Sequence, residues 1–205
     1  MANSRFIKLD KEKKDNILYT ALTEFASKGF TGSSINQISK QAGLSAGHLY
    51  YYFENKEDLY LTVVDFVFDE LIHKEDEEPI NFWMRVEQLV RSRVMLSRKN
   101  KEIGRFLNRF FDYAVSHDGS DVELLTMDKV QNEFRRIFEL GIQSGEIRCD
   151  LPQDYLFQVH LGLVLTTNRW ILTHIDKLDD AAMDKFISDA VGLIRLTMGS
   201  VEEKS

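Results

Sequence analysis

Apolar residues recur at helical spacing along almost the whole chain. Ile17, Leu18, Ala21, Leu22, Phe25 and Ala26 fall one, three and four apart, which puts them on one side of a helix over about residues 11–28, stopped by Gly29. Ile35, Ile38 and Ala42 form the buried side of a second helix. It opens at Ser33 or Ser34, where Ser34 followed by Gln37 has capping-box spacing, and it ends at Gly43. Ser45 caps a third segment, residues 46–53, in which Leu49 and Phe53 lie four apart and anchor inward. Two short helices joined at a glycine predict a helix-turn-helix.

From Asn55 onward, acidic residues in a first turn precede the apolar face Leu59, Val63, Phe66, Val67 and Leu71, predicting a long helix to about residue 78. Further helices are expected over about 79–97, 101–116, 121–144, 152–175 and 179–198, separated by the turn signals HDGSD, QSGEIRCDLP and IDKLDD. The chain is thus read as all-α, with about nine helices and no sheet. No internal repeat or low-complexity tract interrupts them.

Composition narrows the function. With 43% hydrophobic residues in 205, the chain can bury a sizeable core. Its single cysteine, Cys149, allows no internal disulfide and no cysteine-based zinc site, which suits a reducing cytosol. No apolar signal segment or membrane span is visible, so a soluble, cytoplasmic protein without membrane contact is expected. A net charge of −7 argues against a polyanionic partner until its distribution is considered. Residues 1–56 hold eight Lys/Arg against five Asp/Glu, and residues 57–205 hold eighteen against twenty-eight. The basic surface belongs to the N-terminal module, and the boundary between two functional parts falls near residue 56.

The last two helices are apolar over more than one face. Val159, Leu161, Leu163, Val164, Leu165, Ile171, Leu172 and Ile175 are followed by Met183, Phe186, Ile187, Ala190, Val191, Leu193, Ile194 and Leu196. Such helices need partners on two sides, and in so small a domain the second partner is another subunit. A two-fold homodimer with a four-helix interface is expected, with Gly162, Ala190 and Gly192 allowing close approach.

The run TGSSINQISKQAGLSAGHLYYYFENKEDLYLTV resembles the N-terminal DNA-binding module of TetR-type transcriptional regulators, over about residues 11–64. The resemblance rests on an ordered set: Gly29-Phe30, Ser33-Ser34, Ala42-Gly43-Leu44-Ser45, the run Gly47-His48-Leu49-Tyr50-Tyr51-Tyr52-Phe53, and Lys56-Glu57-Asp58-Leu59. It implies a DNA-binding domain over 1–56, a ligand-sensing and dimerisation domain over 57–205, and a dimeric repressor released from a palindromic operator by a small molecule. It also implies that Ser45, Ala46, Gly47 and His48 face bases or the adjoining backbone, and that Tyr50 and Tyr51 touch phosphates, sugars or thymine methyls. Tyr52 is either a further contact or core. Ser33, Ser34 and Lys56 would hold phosphates at helix starts, although a plain helix cap accounts equally for Ser33 or Ser34. Arg5, Lys8, Lys11, Lys13 and Lys14 would form a basic N-terminal arm. At Ala46 the chain departs from many relatives, which carry a longer polar or basic residue there, so few side chains of this helix reach base edges.

The middle helices carry many aromatic residues, which line an apolar effector pocket or form plain core. The candidate pocket set is Trp83, Phe106, Phe110, Phe134, Phe138, His160, Asn168 and Trp170, with the polar members orienting a largely apolar ligand. Between residues 85 and 109, eight Lys/Arg meet only Glu87 and Glu102. Either this is a solvated face paired with the acidic HKEDEE run, or Arg91, Arg98 or Arg105 accepts the head group of an anionic effector.

Two other classes compete. A carboxylate-bridged di-iron bundle requires paired Glu-x-x-His motifs, and only Glu70 to His73 occurs. H-E-x-x-H, Walker, G-x-G-x-x-G and G-x-S-x-G patterns are missing, so neither an enzyme nor a cofactor or metal site is expected. The remaining rival is an interaction protein that keeps the helix-turn-helix without binding DNA.

Overall fold

The computed structural model describes residues 4–71, 81–116 and 120–200, without the side chains of 113–116, 129–131, 133 and 134. Ten α-helices cover most of the described residues: α1 (Ser4–Ile7), α2 (Lys11–Gly32), α3 (Ile35–Gln41), α4 (Ala46–Tyr52), α5 (Lys56–Leu71), α6 (Phe82–Lys99), α7 (Lys101–Ser116), α8 (Asp121–Gln143), α9 (Gln153–His174) and α10 (Asp180–Met198). A single 3-10 turn, Ile175–Lys177, follows α9. Among the described residues the one β feature is an isolated antiparallel bridge between Ile147 and Gly199, so the all-α expectation holds.

The helix starts follow from side-chain caps. Asp10, Ser34, Ser45, Asn81, Ser120 and Asp179 each accept from a backbone N–H in the first turn of the helix they precede. The predicted break at Gly29 occurs as a kink within α2, at φ 70° and ψ −179°, after which the helix resumes to Gly32. Gly43, at φ 72°, makes the sharp turn between α3 and α4 in a conformation that a side chain disfavours. The short α1 was not expected from the sequence. It forms because Phe6 anchors it, with the ring buried 4.7 Å from Phe53 and 6.3 Å from Tyr52. The far end predicted for α5, residues 72–78, lies outside the described residues.

Two apolar clusters hold the helices together. The larger runs from α2, α3 and α4 through α5 into α7 and α9, so the N-terminal helices share buried side chains with the rest of the chain. The smaller joins Trp83, Val86, Val90 and Val94 of α6 to Ile171 of α9 and to Met183, Ile187, Ile194 and Met198 of α10. Among the described residues no helix is long and apolar enough to cross a membrane.

Candidate nucleic-acid interface and ligand cavity

Helix α4 is short and sided. Leu49 and Phe53 are both 1% exposed, which fixes the helix on α3 and α1. The same anchoring turns Tyr50 and Tyr51 outward, at 54% and 49% exposure. Ser45 accepts from the His48 amide at 3.2 Å, and its hydroxyl meets Nδ1 of that ring at 3.1 Å, so the helix start presents an ordered hydroxyl–imidazole pair. Ser45, Gly47, His48, Tyr51 and Tyr52 line one shallow open concavity. A Cβ built at Gly47 meets only Ser45 Oγ, at 4.0 Å, so packing does not demand glycine there. Ala46 is half-buried beside them.

The other candidate contacts divide. Ser34 is exposed and caps α3 by accepting from Gln37 N at 3.4 Å. Ser33 is buried, and its hydroxyl donates to Phe30 O at 2.7 Å, a structural role. Lys56 is half-buried, its ammonium donating to Ser33 O at 3.2 Å and Thr31 O at 3.4 Å while lying 4.6 Å above the Phe30 ring. It therefore braces the α2–α3 turn whatever else it does. Tyr52 is half-buried against Phe6, and the Arg5 guanidinium stacks 4.3 Å over Tyr51. The basic N-terminal residues thus begin as a helix packed on α4, and Lys13 is paired with Asp10 at 3.0 Å.

A second site lies between α6, α8, α9 and α10. It is a cavity of about 50 Å³ with a largely apolar wall that includes Val86, Val90, Phe138, Phe157 and Val164. Its polar lining comes from Arg93 of α6 and His160 of α9. Of the candidate pocket residues, Phe138 and His160 reach it. Trp83 packs instead in the smaller cluster, with the Arg195 guanidinium 5.3 Å from its ring. Phe106 and Phe110 point the other way from α7, toward Tyr60 and Phe68 of α5, because that face of α7 closes the larger core. Asn168 is buried away from this wall, and Trp170 sits at the surface, stacked on His174 and Phe186 at 4.3 and 4.4 Å. The Phe134 side chain lies outside the described residues. Burial, with Arg93's charge adding to it, pushes the His160 ring down to about 4, so it is neutral at physiological pH.

A family model described as "Bacterial regulatory proteins, tetR family" matches residues 17–63, the stretch that builds α2 to α5. The HTH-type transcriptional repressor NicS of Pseudomonas putida is 42% identical over 202 residues, covering 86% of this chain and 89% of that protein. The chain belongs to the TetR family. Two shorter curated matches of 59 residues span only 20% and 32% of their proteins' lengths. A solved structure from Shewanella sp. PV-4, assigned to the same family, superposes with TM-score 0.67 at 25% identity, covering 91% of this chain and 98% of that one. FadR of Bacillus subtilis, solved in complex with stearoyl-CoA, shares the fold at TM-score 0.62 and 19% identity, covering 87% of this chain and 96% of that one. These relatives are transcription regulators.

Sequence reasoning missed two carboxylates that tie this TetR-type module together. Glu24, buried in α2, accepts from Ser34 N at 3.2 Å and from Lys28 Nζ at 2.9 Å, which sets the start of α3. Glu123 of α8 accepts from Phe30 N at 2.9 Å. A polar residue inside an apolar stripe signals Glu24 in the sequence, whereas nothing local signals the 93-residue reach of Glu123. The HKEDEE run, the partner expected for the basic stretch, lies outside the described residues. Arg91 pairs with Asp184 and Glu87, Arg98 with Asp180, Lys101 with Asp176 and Arg105 with Glu102. The arginines singled out for an anionic effector are thus already neutralised at the surface, with α10 supplying two of the carboxylates.

Proposed function

We propose that this TetR-family regulator is a homodimeric repressor whose α4 enters the major groove of a palindromic operator and which a small-molecule effector releases. The observation that carries the reading is the sidedness of α4. Leu49 and the capping Phe53 are fully buried, while the Ser45 hydroxyl, the His48 imidazole and the Tyr50 and Tyr51 phenols are exposed. Such a surface offers donors to phosphates and short polar groups to base edges. In this reading Ser45, Ala46, Gly47, His48, Tyr50 and Tyr51 contact DNA, Ser34 meets a flanking phosphate, and Lys56, Ser33 and Tyr52 hold the face in shape. Residues 1–56 bind DNA and residues 57–205 sense and dimerise.

The dimer reading draws on exposed apolar groups of α9 and α10. Tyr155, Trp170, Leu193 and Leu196 are 58%, 38%, 51% and 83% exposed, and Gly162 and Gly192 have no neighbour within 4 Å of a built Cβ. Pairing this face across a two-fold axis would present two copies of α4 about 34 Å apart, one turn of DNA. The cavity between α6, α8, α9 and α10 is the effector site. It is far smaller than the roughly 300–1,000 Å³ of a pocket that encloses a drug-sized ligand, so binding must spread the helices around it. A ligand that prefers the spread form then shifts the pair of α4 helices away from operator spacing.

Selection of bound fragments from the organism's own genome tests this directly. A single palindrome with half-sites one helical turn apart is expected, together with a protein that sediments as a dimer. Recovery of no common sequence by a monomeric protein would refute the reading.

A further inference from the structure

Arg93 occupies a buried position on α6, on the same side as Val86, Val90 and Val94. It is 7% exposed, and its Nε and Nη2 are both sealed from solvent without a hydrogen-bond partner. A guanidinium in that state is costly, because burial removes its hydration and nothing replaces it. Burial lowers it only to about 10, so it remains a cation at neutral pH. Across the cavity, His160 is half-buried with Nδ1 sealed and likewise unpartnered. Arg91, Arg98, Lys101 and Arg105 of the same stretch have carboxylate partners at the surface.

The open atoms of Arg93 are the two that form one edge of the guanidinium, and that edge matches the two oxygens of a carboxylate. The chain uses the same edge elsewhere. Arg148 holds Asp150 through Nε to Oδ1 at 2.7 Å and Nη2 to Oδ2 at 2.6 Å.

We propose that the effector is a monocarboxylic acid with a compact apolar or aromatic body, its carboxylate held bidentately by the Nε–Nη2 edge of Arg93 and its body lodged among Val90, Phe138, Phe157 and Val164. This rests on the reading of the cavity as the effector site. His160, as the Nδ1–H tautomer, donates to the same carboxylate and adds no charge. One buried cation facing a neutral ring selects a single negative charge, and the apolar wall selects against further polar groups. Primary amides of the same acids have the shape without the charge, and they leave the arginine uncompensated.

Isothermal titration of the full-length protein with butyrate, hexanoate, octanoate, benzoate and phenylacetate, each beside its primary amide, decides the matter. At least one acid is expected to bind more tightly than its amide, on the order of 10- to 100-fold. Arg93→Met should abolish that preference, while its unliganded thermal midpoint equals or exceeds that of the wild type because a buried unpaired charge has gone. Arg93→Lys, which keeps the charge and loses the planar edge, should bind the acid with intermediate affinity. The inference is overturned if no acid surpasses its amide in the wild-type protein, or if the preference survives in Arg93→Met. Should Arg93→Met fail to fold, the wild-type comparison and Arg93→Lys still decide. Operator affinity measured on the same preparations separates the two readings. A protein that binds operator but prefers no acid refutes the carboxylate site alone, and one that binds an acid but no operator refutes the repressor alone.

Discussion

The backbone amide of Phe30 donates to Oε1 of Glu123 at 2.9 Å, across 93 residues of sequence. Gly29 makes this possible, since its left-handed φ turns the following N–H out of the course of α2. The other oxygen of Glu123 accepts from both Ser120 N and Ser120 Oγ, so one carboxylate caps α8 and tethers the end of α2. Because α8 also contributes Ile137 and Phe138 to the cavity wall, a ligand that moves α8 pulls on the module that carries α4.

Replacing Glu123 with Gln should therefore act twice. Loss of charge-assisted acceptance at a buried site costs about 1–3 kcal/mol, read as a lower urea midpoint at unchanged slope. Operator release by a saturating effector should also weaken, because the tether between the two sites is slack. An unchanged midpoint with full release would show that this bond transmits nothing.

Gly47 separates folding from recognition. Its built Cβ meets no packed atom, and alanine is the better helix former by up to about 1 kcal/mol, so Gly47→Ala should be as stable as the wild type or more so. It nevertheless adds bulk to the face proposed to approach DNA. Operator affinity in an anisotropy titration should fall even as the melting temperature holds or rises, and equal affinity would remove Gly47 from the interface.

Tyr50 and Lys56 are expected to behave differently from each other. Tyr50→Ala removes an exposed ring and should lower operator affinity on the order of tenfold with no change in the thermal midpoint. Lys56→Met removes donors to Ser33 O and Thr31 O, and so should reduce stability by about 1–2 kcal/mol as well as affinity. A thermal melt of each variant beside its binding curve distinguishes the two. A destabilised Tyr50→Ala would contradict the outward placement of that ring.

His160 sets a pH dependence of stability. Its folded value is about 4, below the ordinary 6.5, so the unfolded chain takes up a proton that the native cavity refuses. Above pH 6.5 the residue is neutral in both states and contributes no slope. As pH falls from 6.5 toward 4 stability is lost, on the order of 2 kcal/mol after allowing for the ring's partial exposure. Arg93 is the charged group that acts on it across the cavity. Melting His160→Gln beside the wild type over that range should show a flatter curve for the variant, and parallel curves would place the proton uptake elsewhere.

Much of this molecule was legible in its sequence because its helices are marked at both ends by local chemistry. Ser34, Ser45 and Gly43 act within three or four residues, and the stripe from Ile17 to Ala26 lies on the buried side of α2 as its spacing requires. The anchoring of α4 by Leu49 and Phe53 follows from the same spacing, and with it the outward turn of Tyr50 and Tyr51. Distant partners were not legible. Helix α1 depends on Phe6 meeting Phe53, and the role of Glu123 depends on Phe30. In the sensor half, aromatic content alone did not separate the two clusters, so Phe106 and Phe110 were grouped with a cavity they turn away from. Arg93 was not separable from Arg98 by register, since Arg98 lies four after Val94; burial of Arg93 beside Val86, Val90 and Val94, with Arg91 and Arg98 paired at the surface, is what the structure adds.

Whether the α4 face grips a phosphate backbone is tested most directly by the salt dependence of operator binding. With phosphates neutralised by N-terminal cations such as the exposed Lys8 and Lys11 while α4 lies in the groove, affinity should fall linearly on logarithmic axes, losing on the order of 100-fold or more between about 50 and 200 mM monovalent salt. The Tyr50→Ala protein should follow a line of similar slope displaced to weaker binding. A wild-type protein whose affinity for DNA stays level across that range, or that shows no affinity at the lowest salt, would contradict the assignment of this face to DNA.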